Sequence, residues 1–181
     1  MRILCPDSLS PAAYRRISKQ VYRGDPCFRD SLSSVLAIVT DPQGAFAERT
    51  RQQGLAVTDD KGGLLASALL LHAQGLPEQV QLCFFEALPG AQDAVQALVD
   101  KARDLARQWG GSGLLVSMNG HVNYGLGLLA DSFDQTPCFG SAYNPPYYLD
   151  YFRSLGFTEH QLVSYRYPMS SLRRRQEKSI L

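Results

Sequence analysis

Neither sign of charge dominates this sequence: 18 Lys and Arg stand against 17 Asp and Glu, a formal net charge of +1 at pH 7. A chain so balanced has no global field drawing it to nucleic acid or an anionic membrane, so neither is expected as a partner. Long apolar runs are missing too. The most hydrophobic stretch, Gly63 to Ala73, is about half the length of a membrane-spanning helix and contains His72. The opening residues Met1-Arg2-Ile3-Leu4-Cys5-Pro6-Asp7 hold no apolar core of signal-peptide length. A cytoplasmic address is the expectation. Cysteine is sparse: Cys5, Cys27, Cys83 and Cys138 make no C-x-x-C pattern and no close Cys–His spacing, which points to buried free thiols. His72 and His160 have no carboxylate or cysteine at ligand spacing, so no metal site is expected. Charged residues amount to 19% and hydrophobic ones to 45%. That balance excludes a disordered chain and a coiled coil, and 181 residues make one domain.

What is present is a sequence of alternating periods. Ser10-Pro11 stands in N-cap and N1 order, and Ala13, Ile17 and Val21 recur four apart, which predicts a helix over 10–21 that Tyr22-Arg23-Gly24-Asp25-Pro26 ends. Ser31 to Val39 is a short apolar stretch of either type. Gly54 to Thr58 and Leu64 to Ala73 flank the turn Asp59-Asp60-Lys61-Gly62-Gly63 and predict a β-hairpin. In the next run Val80, Leu82 and Phe84 alternate with Gln79, Gln81 and Cys83, so a third strand joins as a meander and ends at Phe85-Glu86-Ala87. After the Leu88-Pro89-Gly90 break, Ala94, Leu98, Ala102, Leu105 and Trp109 predict a helix over 91–109, stopped by Gly110-Gly111. Leu114 to Val116 reads as a short buried strand. A polar loop, 117–123, and a glycine-punctuated stretch to Phe139 follow. Tyr143-Asn144-Pro145-Pro146 then leads into a helix from Tyr147 to Leu155, with Gly156 as its stop. One or two closing strands are expected over 157–167. The domain is expected to occupy 1–169, and 170–181, with Arg173 to Arg175, to be a basic tail.

Helices first, then three meander strands, a helix, a strand, a second helix and closing strands is an order that resembles the GNAT superfamily of acyl-CoA-dependent N-acyltransferases. Leu155-Gly156-Phe157, preceded by an aromatic helix and Asn144, is similar to that superfamily's Asn...Tyr-x-x-x-Gly-Phe segment. Tyr22 to Pro26, Phe84-Phe85-Glu86 and Tyr143-Asn144-Pro145-Pro146-Tyr147-Tyr148 resemble a little-characterised bacterial GNAT-like group. The resemblance implies an α+β fold with a mixed, largely antiparallel central sheet flanked by helices. It implies acetyl-CoA or another acyl-CoA as cosubstrate, held by Ala87, Leu88, Gly90, Ala91, Gln92 and Asn144. Two positions depart from the superfamily pattern. The loop from Glu86 to Asp93 has one glycine, a proline without an N–H, and an acidic residue where a pyrophosphate would be repelled. Position 152, four before Gly156, is Phe, and the nearest tyrosine is Tyr151.

Acyl transfer to an amine needs a base for the ammonium proton and an acid for the leaving thiolate. Glu86, at the end of an apolar strand, is the candidate base, its alternative being a carboxylate paired with an arginine or capping backbone. Tyr151 is the candidate acid, its alternative being part of an aromatic core. Asn119, His121 and Asn123 follow a central strand and are candidate acceptor-binding residues, although Asn and Gly are also turn formers. The acceptor is expected to be a small-molecule or protein amine, and a homodimer is a candidate assembly. The rival from another class is a GNAT-like module that has lost catalysis and serves in binding or dimerisation, with an exposed tyrosine face as its interface.

Overall fold

A computed structural model describes residues 1–138 and 140–165. Five strands, β1 (Arg2–Leu4), β2 (Thr50–Thr58), β3 (Leu64–Ala73), β4 (Gln79–Ala87) and β5 (Gly113–Val116), lie side by side in that order. All neighbours are antiparallel except β4 and β5, which are parallel. The helices are α1 (Pro11–Val21), α2 (Leu32–Val39), α3 (Ala45–Arg49), α4 (Gln92–Gln108) and α5 (Tyr147–Ser154). The fold class is therefore the expected one, α+β with a mixed, largely antiparallel sheet.

Local chemistry explains most of these elements. Ser10 caps α1 by accepting the Ala13 N–H on its Oγ at 3.1 Å, and Pro11 supplies the pre-set first turn. The hairpin turn is held by Asp59, whose Oδ1 accepts the N–H groups of Lys61 and Gly63. The short stretch within 31–39 that periodicity left open is helical, α2. β3 and β4 are buried along nearly their whole length, since helices cover both faces of the sheet. On one face α4 and α5 pack on Leu55, Leu70, Leu82 and Phe85, and on the other Tyr14 of α1 and Leu36 of α2 pack with Leu69, Leu71, Cys83 and Phe84.

Several expectations need correction. The order, expected to begin with helices, begins instead with the edge strand β1, with Ile3 paired to Val57. Gly54 lets the segment after β1 lie close to β2: a Cβ there would lie 2.6 Å from the Ser8 carbonyl oxygen. The short helix α3 has no buried residue and so no apolar period to announce it. The closing strands over 157–167 do not form over 157–165, where most residues are exposed and none pairs in the sheet. Residues 166 and 167 and the basic tail lie outside the described residues. Only Cys83 of the four free cysteines is buried; Cys5 and Cys138 are exposed and Cys27 is half-buried. Among the described residues no helix is long and apolar enough to cross a membrane.

Candidate active site

The site begins where β4 and β5 part. Their pairing ends with Leu82 beside Val116, followed by one bond from the Ser117 N–H to the Leu82 carbonyl at 3.0 Å. The chain then turns away through left-handed conformations at Ser117 (φ 60°) and Asn119 (φ 52°). Asparagine tolerates this region better than most residues. Its side chain spans the opened gap: Asn119 Oδ1 accepts the Phe84 N–H at 2.8 Å, and Nδ2 donates to the carbonyls of Tyr124 and Gly125. Asn119 is thus buried with all its polar groups engaged, a substitute for the missing ladder bonds.

Phe84 is the second element of the site. It sits at φ 49°, a conformation that a bulky residue adopts only under constraint. Between Leu69–Cys83 and Ser67–Glu86, β4 advances three residues while β3 advances two, so β4 carries a bulge. The bulge reverses the facing of everything after it. Val80 and Leu82 pack on the α4 side, but Phe84 joins Cys83 on the α1 side, and Phe85 and Ala87 return to the α4 side. Unbroken alternation would have put Phe84 beside Val80 and Leu82, as the sequence pattern predicts, and Glu86 with them in the apolar α4 layer. The extra residue aims Glu86 at α1 instead.

Glu86 is 2% exposed and surrounded by hydroxyls. Tyr14 donates to its Oε1 at 2.9 Å and Ser18 to the same oxygen at 3.3 Å, while Tyr148 of α5 donates to Oε2 at 2.7 Å. No arginine or lysine pairs with it among the described residues, so it fills neither structural role weighed from the sequence. Burial pushes its pKa up to about 7, and the tyrosine and serine hydroxyls hold it from going higher. Across the strand pair its partner is Ser67, whose buried Oγ has no hydrogen-bond partner among the described residues. Sequence reasoning found Glu86 but missed Tyr14, Ser18 and Tyr148. The stripe of Tyr14 and Ser18, four apart on α1, was the available signal, overshadowed by the neighbouring Ala13–Ile17–Val21 stripe.

The other expected residues divide. The Tyr151 hydroxyl donates to the Leu88 carbonyl at 2.7 Å and accepts the Ala91 N–H at 3.0 Å, so it clamps the loop from β4 to α4 and has no free role as an acid in this arrangement. Tyr148 accepts the Ala87 N–H and Tyr147 donates to the Ala87 carbonyl. Of the loop residues expected to meet a cofactor, Ala87, Leu88 and Ala91 thus already hold α5 through backbone groups. Gln92 does so through its side-chain amide, which donates to Ser154. Gly90 (φ 76°) has open space around it. Asn144 is buried and spends its amide on Leu129 and the Pro145 carbonyl, fastening the long loop rather than a ligand. His121 and Asn123 are exposed, bonded to each other through the Asn123 N–H and the His121 Nδ1. They do not join Glu86.

On the α1 side lies a cavity of about 160 Å³, walled by Tyr14, Tyr22, Phe28 and Tyr143 with Asp30 and Arg29 among its other lining residues. Glu86 does not line it. Tyr14, with Tyr22 beside it, separates the carboxylate from the cavity. The tyrosine face of α5 that an interface would need is not available, because Tyr148 and Tyr151 are buried.

No protein-family model and no curated protein sequence matches the chain. Among solved structures it is similar to a tetramutant of the BH1408 protein from Bacillus halodurans, at 14% identity and a TM-score of 0.50, over 93% of this chain and 100% of that one. It is also similar to a ribosomal-protein-alanine N-acetyltransferase from Brucella melitensis biovar Abortus, at 14% identity and a TM-score of 0.48, over 93% of this chain and 100% of that one. A Trypanosoma brucei acetyltransferase matches at 13% identity and a TM-score of 0.44, over 92% of this chain and 100% of that one. At these identities the likeness is one of fold. The described elements follow the helix–meander–helix–strand order expected from the sequence.

Proposed function

We propose that this domain is an acyl-CoA-dependent N-acyltransferase, moving an acetyl group to an amine, with Glu86 as the base. The observation that carries the reading is the Glu86 carboxylate itself: buried, unpaired with any cation among the described residues, near neutrality in pKa, and aimed by a bulge at a cavity-lining tyrosine. A group balanced between its two protonation states at physiological pH is suited to taking a proton from an ammonium.

The cosubstrate fits the chain at two points and is opposed at one. Past Leu82, the β4 edge groups are bonded to side chains of Asn119, Tyr147 and Tyr148, bonds that amides of a pantetheine arm can replace. At the start of α4 no side chain caps the first turn, and Gly90 leaves space for a phosphate. Asp93 in that turn repels one. Ala87, Leu88, Gly90, Ala91 and Gln92 would hold the acyl-CoA; it supplies the thioester, and the chain supplies base and orientation. Calorimetric melting with acetyl-CoA tests the reading. At about 100 times its Kd the ligand adds about 2.7 kcal/mol, a rise of roughly 5–10 °C for a domain of this size.

The same side-chain bonds favour a second reading, a GNAT-like binding or dimerisation module whose cofactor cleft is closed. It expects no acetyl-CoA effect on melting and an oligomer by light scattering. Its interface would lie away from the buried face of α5.

A further inference from the structure

We propose that the cavity beside α1 is the amine-acceptor site, and that it takes a monoamine with an apolar body about the size of one ring, its nitrogen between Asp30 and Tyr14. This rests on the acyltransferase reading and adds the acceptor's chemical class. Size is the first argument. A cavity of about 160 Å³ has room for a single ring, since an apolar protein cavity of roughly 150 Å³ takes benzene. A nucleotide or a folded peptide segment does not fit inside it, and the further ammonium groups of a polyamine meet no second carboxylate among the lining residues.

The walls supply the second argument. Tyr22 and Phe28 stack with centroids 3.8 Å apart, and Tyr143 leans on them at 5.9 and 6.4 Å. The Tyr143 hydroxyl donates to Asp25 Oδ2 at 2.7 Å, which fixes that ring. Aromatic walls favour an apolar body and tolerate a cation at its end.

Charge is the third. Of the lining residues, Asp30 offers a carboxylate whose known bonds are to the Ser33 N–H and hydroxyl, leaving acceptor capacity on both oxygens. The Asp30 charge acts on Tyr14 directly, adding to the burial and the Glu86 charge that raise the Tyr14 pKa. Arg29 also lines the cavity, but its Nη1 donates to the carbonyls of Pro26 and Phe28, so its side chain is tied to its own turn. An amine with a carboxylate on the adjacent carbon would bring that charge against Asp30, so the site prefers a monoamine without one.

Tyr14 gives the site its connection to the base. It is the lining residue whose hydroxyl donates to Glu86 at 2.9 Å, so an ammonium in the cavity passes one proton to the Tyr14 oxygen as Tyr14 passes its own to Glu86 Oε1. The free amine then attacks the thioester carbon. The C–N bond forms, the C–S bond breaks, the second nitrogen proton goes to the thiolate to give CoA, and Glu86 returns its proton to solvent. Tyr14, held well above the ordinary phenol range, acts as a neutral relay throughout.

The test measures binding apart from turnover. Phenethylamine, L-phenylalanine and spermidine are titrated into the full chain by calorimetry, with and without CoA. Phenethylamine is expected to bind at least tenfold more tightly than the other two, and Asp30→Asn, which keeps the oxygen that accepts the Ser33 N–H, to lose at least tenfold of it. Phe28→Ala, a second variant in the aromatic lining, is expected to lose as much. Equal or tighter binding of phenylalanine or spermidine, no binding of any amine, or undiminished binding in both variants overturns the proposal. Selective binding of phenethylamine without transfer from acetyl-CoA would leave the site standing and overturn the acyltransferase reading. Transfer to phenylalanine in preference to phenethylamine would do the reverse.

Discussion

Glu86 carries its own pH signature because burial, not a partner charge, sets its pKa. Unfolded it titrates near 4.5, and folded near 7. Between those values the native state keeps a proton that the unfolded chain has released, so stability is full below about pH 4.5 and is lost as pH rises through about 7. The loss is on the order of 3 kcal/mol for a difference of this size. The hydroxyls facing Glu86, from Tyr14, Ser18 and Tyr22 at α1 and Tyr148 on α5, stay neutral throughout, so they do not offset it. Melting curves from pH 4 to 8 should therefore show the wild type falling relative to Glu86→Gln, which has nothing to ionise. Parallel curves would mean that Glu86 ionises as easily folded as unfolded. In the acyltransferase reading the same variant loses about a hundredfold in turnover, the scale of a missing general base, while the wild-type rate rises with pH through 7.

At the scale of elements, two joints hold the site in shape. Asn119 bridges β4 and the loop after β5, and without its amide the buried Phe84 N–H has no acceptor. Asn119→Gly keeps the left-handed backbone available, so its expected cost of about 1–3 kcal/mol in chemical denaturation reports the orphaned N–H rather than strain. The second joint is Tyr151, which ties α5 to the β4–α4 loop. From the sequence alone, Tyr151→Phe would slow acyl transfer with little change in stability. With both loop bonds attached to this hydroxyl, the variant is expected to lose about 1–3 kcal/mol in stability as well. A denaturation midpoint unchanged from wild type would return Tyr151 to the role of acid. At the sheet's other edge, Gly54→Ala drives a methyl into the Ser8 backbone and should cost about 1–3 kcal/mol. Faster hydrogen exchange confined to residues 2–8 would locate the damage.

For the molecule as a whole, protection should follow the double cover of the sheet. Leu69, Leu70 and Leu71 on β3 are fully buried in succession, as are Val80 to Cys83 on β4, because each strand faces helices on both sides. Their amides are expected to open only with global unfolding, whereas β1, exposed along its length, opens first. Slowest exchange anywhere but β3 and β4 would contradict this layering.

The helices and strands were largely legible because their cause is local. Ser10-Pro11 starts α1, Asp59 to Gly63 turns the hairpin, Pro89-Gly90 and Gly110 bracket α4, and apolar periods of two or near 3.6 fill the intervals. The GNAT-like order follows from reading these in sequence. Glu86 was legible as a misfit, one carboxylate at the end of an apolar strand. Its direction was not. The bulge at Phe84 is marked by no glycine or proline, and a one-residue change of register exchanges the two faces of everything downstream. Packing decided it: Asn119, 35 positions away in the chain, holds the Phe84 N–H, and Tyr14 and Tyr148, brought in by two different helices, receive the carboxylate. Asn144 and Tyr151 could be seen as polar groups in a suggestive motif, but whether such groups meet a ligand or the chain's own backbone depends on which buried N–H and carbonyl groups lie within reach. Only the tertiary structure supplies that, because it alone brings together residues that the sequence keeps far apart.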